Sequence, residues 1–126
     1  MKVVDAGVVV GLLVGDVDPA ALRADDLAAP HLLDSDVVNV LRRLARTGIL
    51  TDKQATLALD GFSRLEIERY PAVNLLARMW ELRQNVNAYD ATYVALAEEL
   101  ETTGLVTVDA RLPRAPGLRC HVEVLE

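Results

Sequence analysis

A chain of 126 residues is one domain's worth and long enough to bury a sizeable core. It is 52% hydrophobic but only 4% aromatic, and a Val, Leu and Ala interior suits parallel strands covered by helices better than an aromatic-rich sandwich. A formal net charge of −6 excludes a protein that holds nucleic acid chiefly through a basic surface. Either the chain does not touch nucleic acid, or it does so locally, through cations bound at an acidic centre and individual arginines.

The opening run "MKVVDAGVVVGLLVGD" carries an acid within its apolar stretch and lacks a small-residue cleavage pattern, which argues against an export signal. No other run approaches membrane-spanning length. Within the opening run, "KVVD" reads as a short buried strand ending at Asp5, and Val8 to Val14 as an apolar helical segment. In "GDVDPAALRADDLA", Asp18 is a cap and Pro19 takes the first helical position. A very short extended piece around Ala29 to His31 leads into "LLDSDVVNVLRRLARTG". There Leu33, Val37, Val40, Leu41 and Leu44 recur at helical spacing and Gly48 stops the helix.

Thr51 and Gln54 stand at capping-box spacing, so a further helix begins there. "LEIERYP" alternates like a strand and ends at Pro71. Ala72 to Arg83 has a helical pattern, and a second helix runs from about Ala88 to Glu101, with Tyr89, Tyr93, Leu96 and Leu100 on one stripe. "GLVTVD" is a buried strand ending in Asp109, and "RCHVEVL" closes the chain as an alternating strand. Cys120, the single cysteine, is expected to be a buried small hydrophobe in that last strand; it excludes an internal disulfide and fits a reducing cytoplasm. Repeats, low-complexity tracts and linkers are not evident.

Strands alternating with helices imply a parallel α/β sheet wrapped by helices, with ligands bound outside the strand C-termini. Asp5 and Asp109 each directly follow a Val-rich strand. Asp36, in "LLDSDVVNVLRR", and Asp90, in "AYDATYV", lie near helix starts; if both starts face the same sheet edge, four acids share one cavity. Asp90 has a simpler explanation too, since a first-turn carboxylate favours the helix dipole by about 0.3–1 kcal/mol. Four carboxylates in a small apolar-walled space repel one another, and some would take up protons unless a cation relieved them. Donors that are all hard oxygen suit magnesium or manganese. His31 and His121 lack zinc-ligand spacing and read as ordinary surface or packing residues. Asp16, Asp25, Asp26 and Glu98 to Glu101 read as solvated faces or helix ends. Arg42, Arg43 and Arg46 offer phosphate contacts from the helix that carries Asp36, or are simply solvated. Tyr89 offers a stacking surface for a base, although core packing is the plainer expectation.

Four segments, "VVDAG", "PHLLDSDVVNVLRR", "YDATYVALAEEL" and "LVTVDARL", together resemble the four blocks of the PIN-domain ribonucleases, and specifically the VapC-like toxins of type II toxin–antitoxin pairs. The resemblance runs in order over nearly the whole chain. It implies a single domain over residues 1–126, a three-layer α/β/α fold with a central, mainly parallel sheet. It also implies a cytoplasmic endoribonuclease in which conserved acids hold magnesium or manganese and activate water to cut RNA. By position those acids are Asp5, Asp36, Asp90 and Asp109, all catalytic and metal-binding, with Thr107 also matching the pattern. A cognate antitoxin would mask the site, in a homodimer or a toxin–antitoxin hetero-oligomer.

Two positions depart from the family pattern. Asp36 stands where glutamate is usual, one methylene shorter, and Gly7 where a serine or threonine often follows the first aspartate. Both bear on the strength of metal binding, and they leave open a weakly active or inactive PIN-like module that binds protein. A phosphoacceptor receiver domain would need a lysine after a late strand, and none follows Lys53. A haloacid-type phosphatase would need a second aspartate at position 7.

Overall fold

The computed structural model describes residues 1–22, 25–102 and 104–125. Five strands form one sheet: β1 (Lys2–Val4), β2 (Leu27–Pro30), β3 (Ile67–Tyr70), β4 (Leu105–Thr107) and β5 (Val122–Val124), in the order β3-β2-β1-β4-β5. Every pairing is parallel; Val3 stands opposite Ala28 and Leu105, and Val4 opposite Val106. Val3, Val4, Ala28, Ala29, Leu105 and Val106 are fully buried, as strands covered on both faces require.

The helices are α1 (Ala6–Val14), α2 (Leu32–Arg46), α3 (Asp52–Ser63), α4 (Leu76–Glu81) and α5 (Ala88–Glu99). The chain first steps outward from β1 to β2 and β3, then returns past β1 to β4 and β5. Right-handed crossovers therefore put α1, α2 and α3 on one face and α4 and α5 on the other. The packing agrees: α1, α2 and α3 contact one another, α4 packs on α5, and α5 lies against β1 and β2. The expected three-layer α/β/α arrangement is present, with a sheet that is wholly parallel among the described residues.

Several ends follow from local chemistry. Thr51 and Gln54 form a reciprocal capping box, with Gln54 N donating to Thr51 Oγ1 at 3.1 Å and Thr51 N to Gln54 Oε1 at 2.8 Å. Asp18 caps as expected, but it heads only a 3₁₀ turn over Pro19–Ala21; residues 23 and 24 of that predicted helix lie outside the described residues. Helix α2 ends at Arg46, and Gly48 follows with φ of 77°, a left-handed conformation that disfavours side chains with a Cβ.

Other boundaries moved. Ala72 to Arg83 is not one helix but a 3₁₀ turn (Val73–Leu75) running into the short α4. The strand expected to end in Asp109 stops at Thr107, and that expected to end in Asp5 stops at Val4. Helix α5 is not striped, since Ala91 to Ala97 are buried without a break. A helix pressed between the sheet and α4 has no solvent side, and small residues allow that close approach. Tyr89, expected to pack in the core, is 63% exposed. Cys120 is only partly buried and precedes β5 instead of lying in it. Glu98, expected on a solvated face, is partly buried: its carboxylate accepts from Arg78 Nε at 2.7 Å and from the Arg119 N–H at 2.8 Å. Asp25 likewise pairs with Lys2 Nζ at 3.4 Å. His31 and His121 are exposed, as expected.

Candidate active site

The order of strands reverses direction between β1 and β4, and that switch point is where an open parallel sheet leaves a crevice beyond its C-terminal edge. Asp5 leaves β1 there and caps α1, its Oδ1 accepting from the Val8 N–H at 3.0 Å. Its other oxygen, Oδ2, accepts from Thr107 Oγ1 at 2.6 Å across the crevice. The same hydroxyl, on a side chain with no solvent exposure, accepts from the Asp109 N–H at 3.0 Å. Thr107 thus fixes the carboxylate of Asp5 and the backbone that presents Asp109 with one atom.

The starts of α2 and α5 complete the site. Asn87 caps α5, accepting from the Asp90 N–H at 2.8 Å, so Asp90 falls in the first turn and faces the crevice. Asp36, one turn into α2, has its Oδ2 held by the Tyr93 hydroxyl of α5 at 2.8 Å. Asp5, Asp36 and Asp90 line one open cavity of about 510 Å³, together with Gly7, Asn39, Arg43, Tyr89 and Tyr93. Asp109 sits at the rim, its carboxylate drawn to Arg111 Nε at 3.1 Å. Arg111 is 89% exposed, so this ion pair is a weak tether in water.

Burial and neighbouring charge act together on these acids. Burial pushes Asp5 above the usual carboxylate range in spite of its hydrogen bonds to Thr107 and Val8, and the charges of Asp90 and Asp109 push the same way. Asp90 is raised by burial, then by Asp109 and Asp36, with Arg111 opposing. Asp109 is lowered by its hydrogen bonds to Arg111. Tyr93 is raised far above the ordinary phenol value, by burial first and then by Asp36, so its hydroxyl remains a donor to that carboxylate.

The donor set, hard oxygens with no cysteine or histidine, fits a magnesium or manganese ion. Among the described residues, no three His, Cys, Asp or Glu side chains stand close enough to form a ready-made ion cage. Three of the four acids have a side-chain partner of their own: Asp5 has Thr107, Asp36 has Tyr93 and Asp109 has Arg111. The four expected acids therefore reach the same sheet edge, three in one cavity and the fourth at its rim. Sequence reading missed the part played by Tyr93; its place three residues after Asp90, on the same turn, was the available signal.

The departure at Gly7 also has a structural counterpart. A Cβ added there would stand 2.7 Å from a methyl of Val108 and 3.6 Å from Asp5 Oδ1. The space a serine side chain would need is taken up by Val108.

The fold and the edge-clustered acids agree with the relationships of the sequence. The PIN domain family model matches residues 2–118. The chain is 43% identical over 126 residues to the VapC ribonuclease Mb0985 of Mycobacterium bovis, covering 99% of this chain and 98% of that protein. It is 42% identical over 129 residues to ribonuclease VapC1 of Mycobacterium tuberculosis, covering 98% and 96%. Among solved structures, PAE2754 from Pyrobaculum aerophilum superposes with a TM-score of 0.70 at 26% identity, over 98% of this chain and 83% of that one. The chain belongs to the PIN domain family.

Proposed function

We propose that this protein is an endoribonuclease, the toxin of a type II toxin–antitoxin pair, with the acidic crevice at the ends of β1 and β4 as its catalytic centre and magnesium or manganese as its cofactor. The observation that carries the reading is Asp5. Its carboxylate is anchored on both oxygens, by Val8 and Thr107, in a cavity it shares with Asp36 and Asp90. The 43% identity to a protein named as a VapC ribonuclease supports the reaction class.

In this reading Asp5, Asp90 and Asp109 hold the ion, directly or through water, and Asp36 serves as an outer ligand or base. When bound, the ion lowers the pKa of a coordinated water and offsets charge on the phosphoryl oxygens of the scissile phosphate. Thr107 keeps Asp5 from rotating away from the crevice. Tyr93 commits its proton to Asp36 Oδ2 and leaves the other oxygen of Asp36 without a protein donor among the described residues. Such a nuclease is dangerous to its host, so a cognate antitoxin, with Arg or Lys directed at the acids, is the expected partner, and the cytoplasm is the expected place of action. Among the described residues, no helix is long and apolar enough to cross a membrane.

The test is cleavage of RNA with magnesium or manganese, with and without EDTA, in the native protein and in Asp5→Asn. Activity should need the ion and fall roughly 100-fold or more in the variant while the circular dichroism stays unchanged, because several kcal/mol of transition-state stabilisation depend on the ion centre. Cleavage that persists in both EDTA and the variant would refute this assignment. A second reading, a PIN-like module that binds protein with little catalysis, draws on the acids' separate satisfaction by Thr107, Tyr93 and Arg111. It would be left standing if no RNA were cut under any ion.

A further inference from the structure

The acidic cavity does not end at its own wall. Asn39 and Arg43 of α2 line it, and both also line a second recess of about 360 Å³, whose other walls are Arg42, Arg46 and Thr47. On a helix, residues 39, 43 and 46 follow one another along one face, and the rise of 1.5 Å per residue makes that face about 10 Å long, its last part leading away from the cavity. Most other arginines are committed: Arg64 to Asp60, Arg69 to Asp34, Arg78 to Glu98 and Arg111 to Asp109. Arg83 lies over the Trp80 ring. The guanidinium groups of Arg42, Arg43 and Arg46 are exposed and have no ion pair or hydrogen bond among the described residues. Three unpaired cations therefore stand together, on a protein of net charge −6, directly beside the cavity that holds Asp5, Asp36 and Asp90.

We infer that Arg42, Arg43 and Arg46 form a phosphate rail, along which the RNA backbone is held on its way into the acidic crevice. This rests on the nuclease reading and names the residues that position its substrate. A polyanion approaching four carboxylates is repelled unless cations hold it nearby, and arginine's planar fork of donors suits phosphate oxygens. Arg43, lining both recesses, would hold the phosphate next to the one being cut, and Arg42 and Arg46 those beyond it. At the other side of the cavity Tyr89 presents an exposed ring, a surface on which a base can stack. The competing explanation is that Arg43 and Arg46 merely complement the C-terminal dipole of α2, where both lie in the last turn.

Binding of a fluorescent single-stranded RNA oligonucleotide, followed by anisotropy in EDTA across a range of salt concentrations, separates the two. It would be run on the native protein, on Arg43→Gln, on Arg42→Gln/Arg46→Gln, on the triple variant, and on Arg64→Gln as a control whose charge is already paired. Neutralising one arginine of the rail should flatten the slope of log affinity against log salt by about 0.7, and the triple variant should flatten it by about 2. The control should match the native protein. With magnesium or manganese added, Arg42→Gln/Arg46→Gln should raise KM with little change in kcat. Slopes equal to the native value in all three rail variants, with only the melting temperature altered, would overturn the rail and leave the dipole explanation. Because binding is read without the ion, the outcomes are separable. Cleavage intact with unchanged slopes refutes the rail alone, whereas altered slopes on a protein that cuts no RNA refute the nuclease reading alone.

Discussion

Asp90 is the residue at which two forces can be weighed against each other. Its place in the first turn of α5 gains about 0.3–1 kcal/mol from the helix dipole. Burial first, and then the charges of Asp109 and Asp36, push its pKa up against the charge of Arg111. A carboxylate whose pKa is raised on folding costs the fold stability at neutral pH. Asp90→Asn, measured by thermal unfolding in EDTA at neutral pH, should raise stability on the order of 1 kcal/mol, about 4 °C in a domain of this size. A lowered melting temperature would show that the dipole dominates after all. Gly7 belongs at this scale too: a Cβ there would stand 2.7 Å from a Val108 methyl, so a larger residue requires Val108 to shift.

Elements are joined to one another by a few charged side chains that sequence reading left on the surface. Arg78 of α4 donates to Glu98 of α5 at 2.7 Å and to the Gly117 carbonyl at 2.6 Å, tying two helices and the loop before β5. Burial alone would raise the pKa of Glu98, but its hydrogen bonds to Arg78 and to the Arg119 N–H outweigh it and hold it below the usual value. An acid with a lowered folded-state pKa contributes stability that is present above its unfolded-state pKa. That contribution is lost as pH falls through the folded-state value. Arg78→Ala should therefore cost about 2 kcal/mol at neutral pH, the scale of hydrogen bonds to a charged group. The gap to the native protein should narrow as pH drops below the ordinary glutamate range. Denaturant unfolding at pH 7 and near pH 3 checks this; a gap that stays constant would show that Arg78 acts by packing alone. Arg69 plays a similar part on the other face, donating to Asp34 at the start of α2 at 2.8 Å while lying over the Phe62 ring.

The whole molecule sets an acidic, self-repelling edge on an otherwise well-packed parallel sheet. Its proposed ion would bind the folded chain, where the acids are brought together, and not the unfolded one. Ion binding of that kind stabilises by mass action, about 2.7 kcal/mol at 100 times the dissociation constant. Adding magnesium or manganese should thus raise the melting temperature by several degrees, and Asp5→Asn should blunt the rise. Calorimetry that detects no binding at millimolar ion would count against the metal centre while leaving the fold unaffected. The charge of the molecule acts in the same direction, since a net −6 makes any grip on RNA depend on local features such as the face of α2 and on salt.

Much of this was legible in sequence because it depends on short-range chemistry. Period-two and helical spacing marked the parallel α/β order, Thr51 and Gln54 marked the start of α3, and the acids at strand ends fell where the first crossovers put them. What periodicity could not foresee came from burial and from contacts between distant segments. Helix α5 carries no stripe because both its sides are covered, and Tyr89, one turn from its buried neighbour Tyr93, is exposed where it borders the open acidic cavity. The pairing of Tyr93 with Asp36 and of Thr107 with Asp5 joins residues separated by 57 and 102 positions. The drawing of Asp109 to Arg111 spans only two residues, through the Arg111 backbone N–H and guanidinium. Sequence determined which acids arrive at the edge; tertiary structure decided how each is held there, because the competing donors are supplied by other elements of the fold.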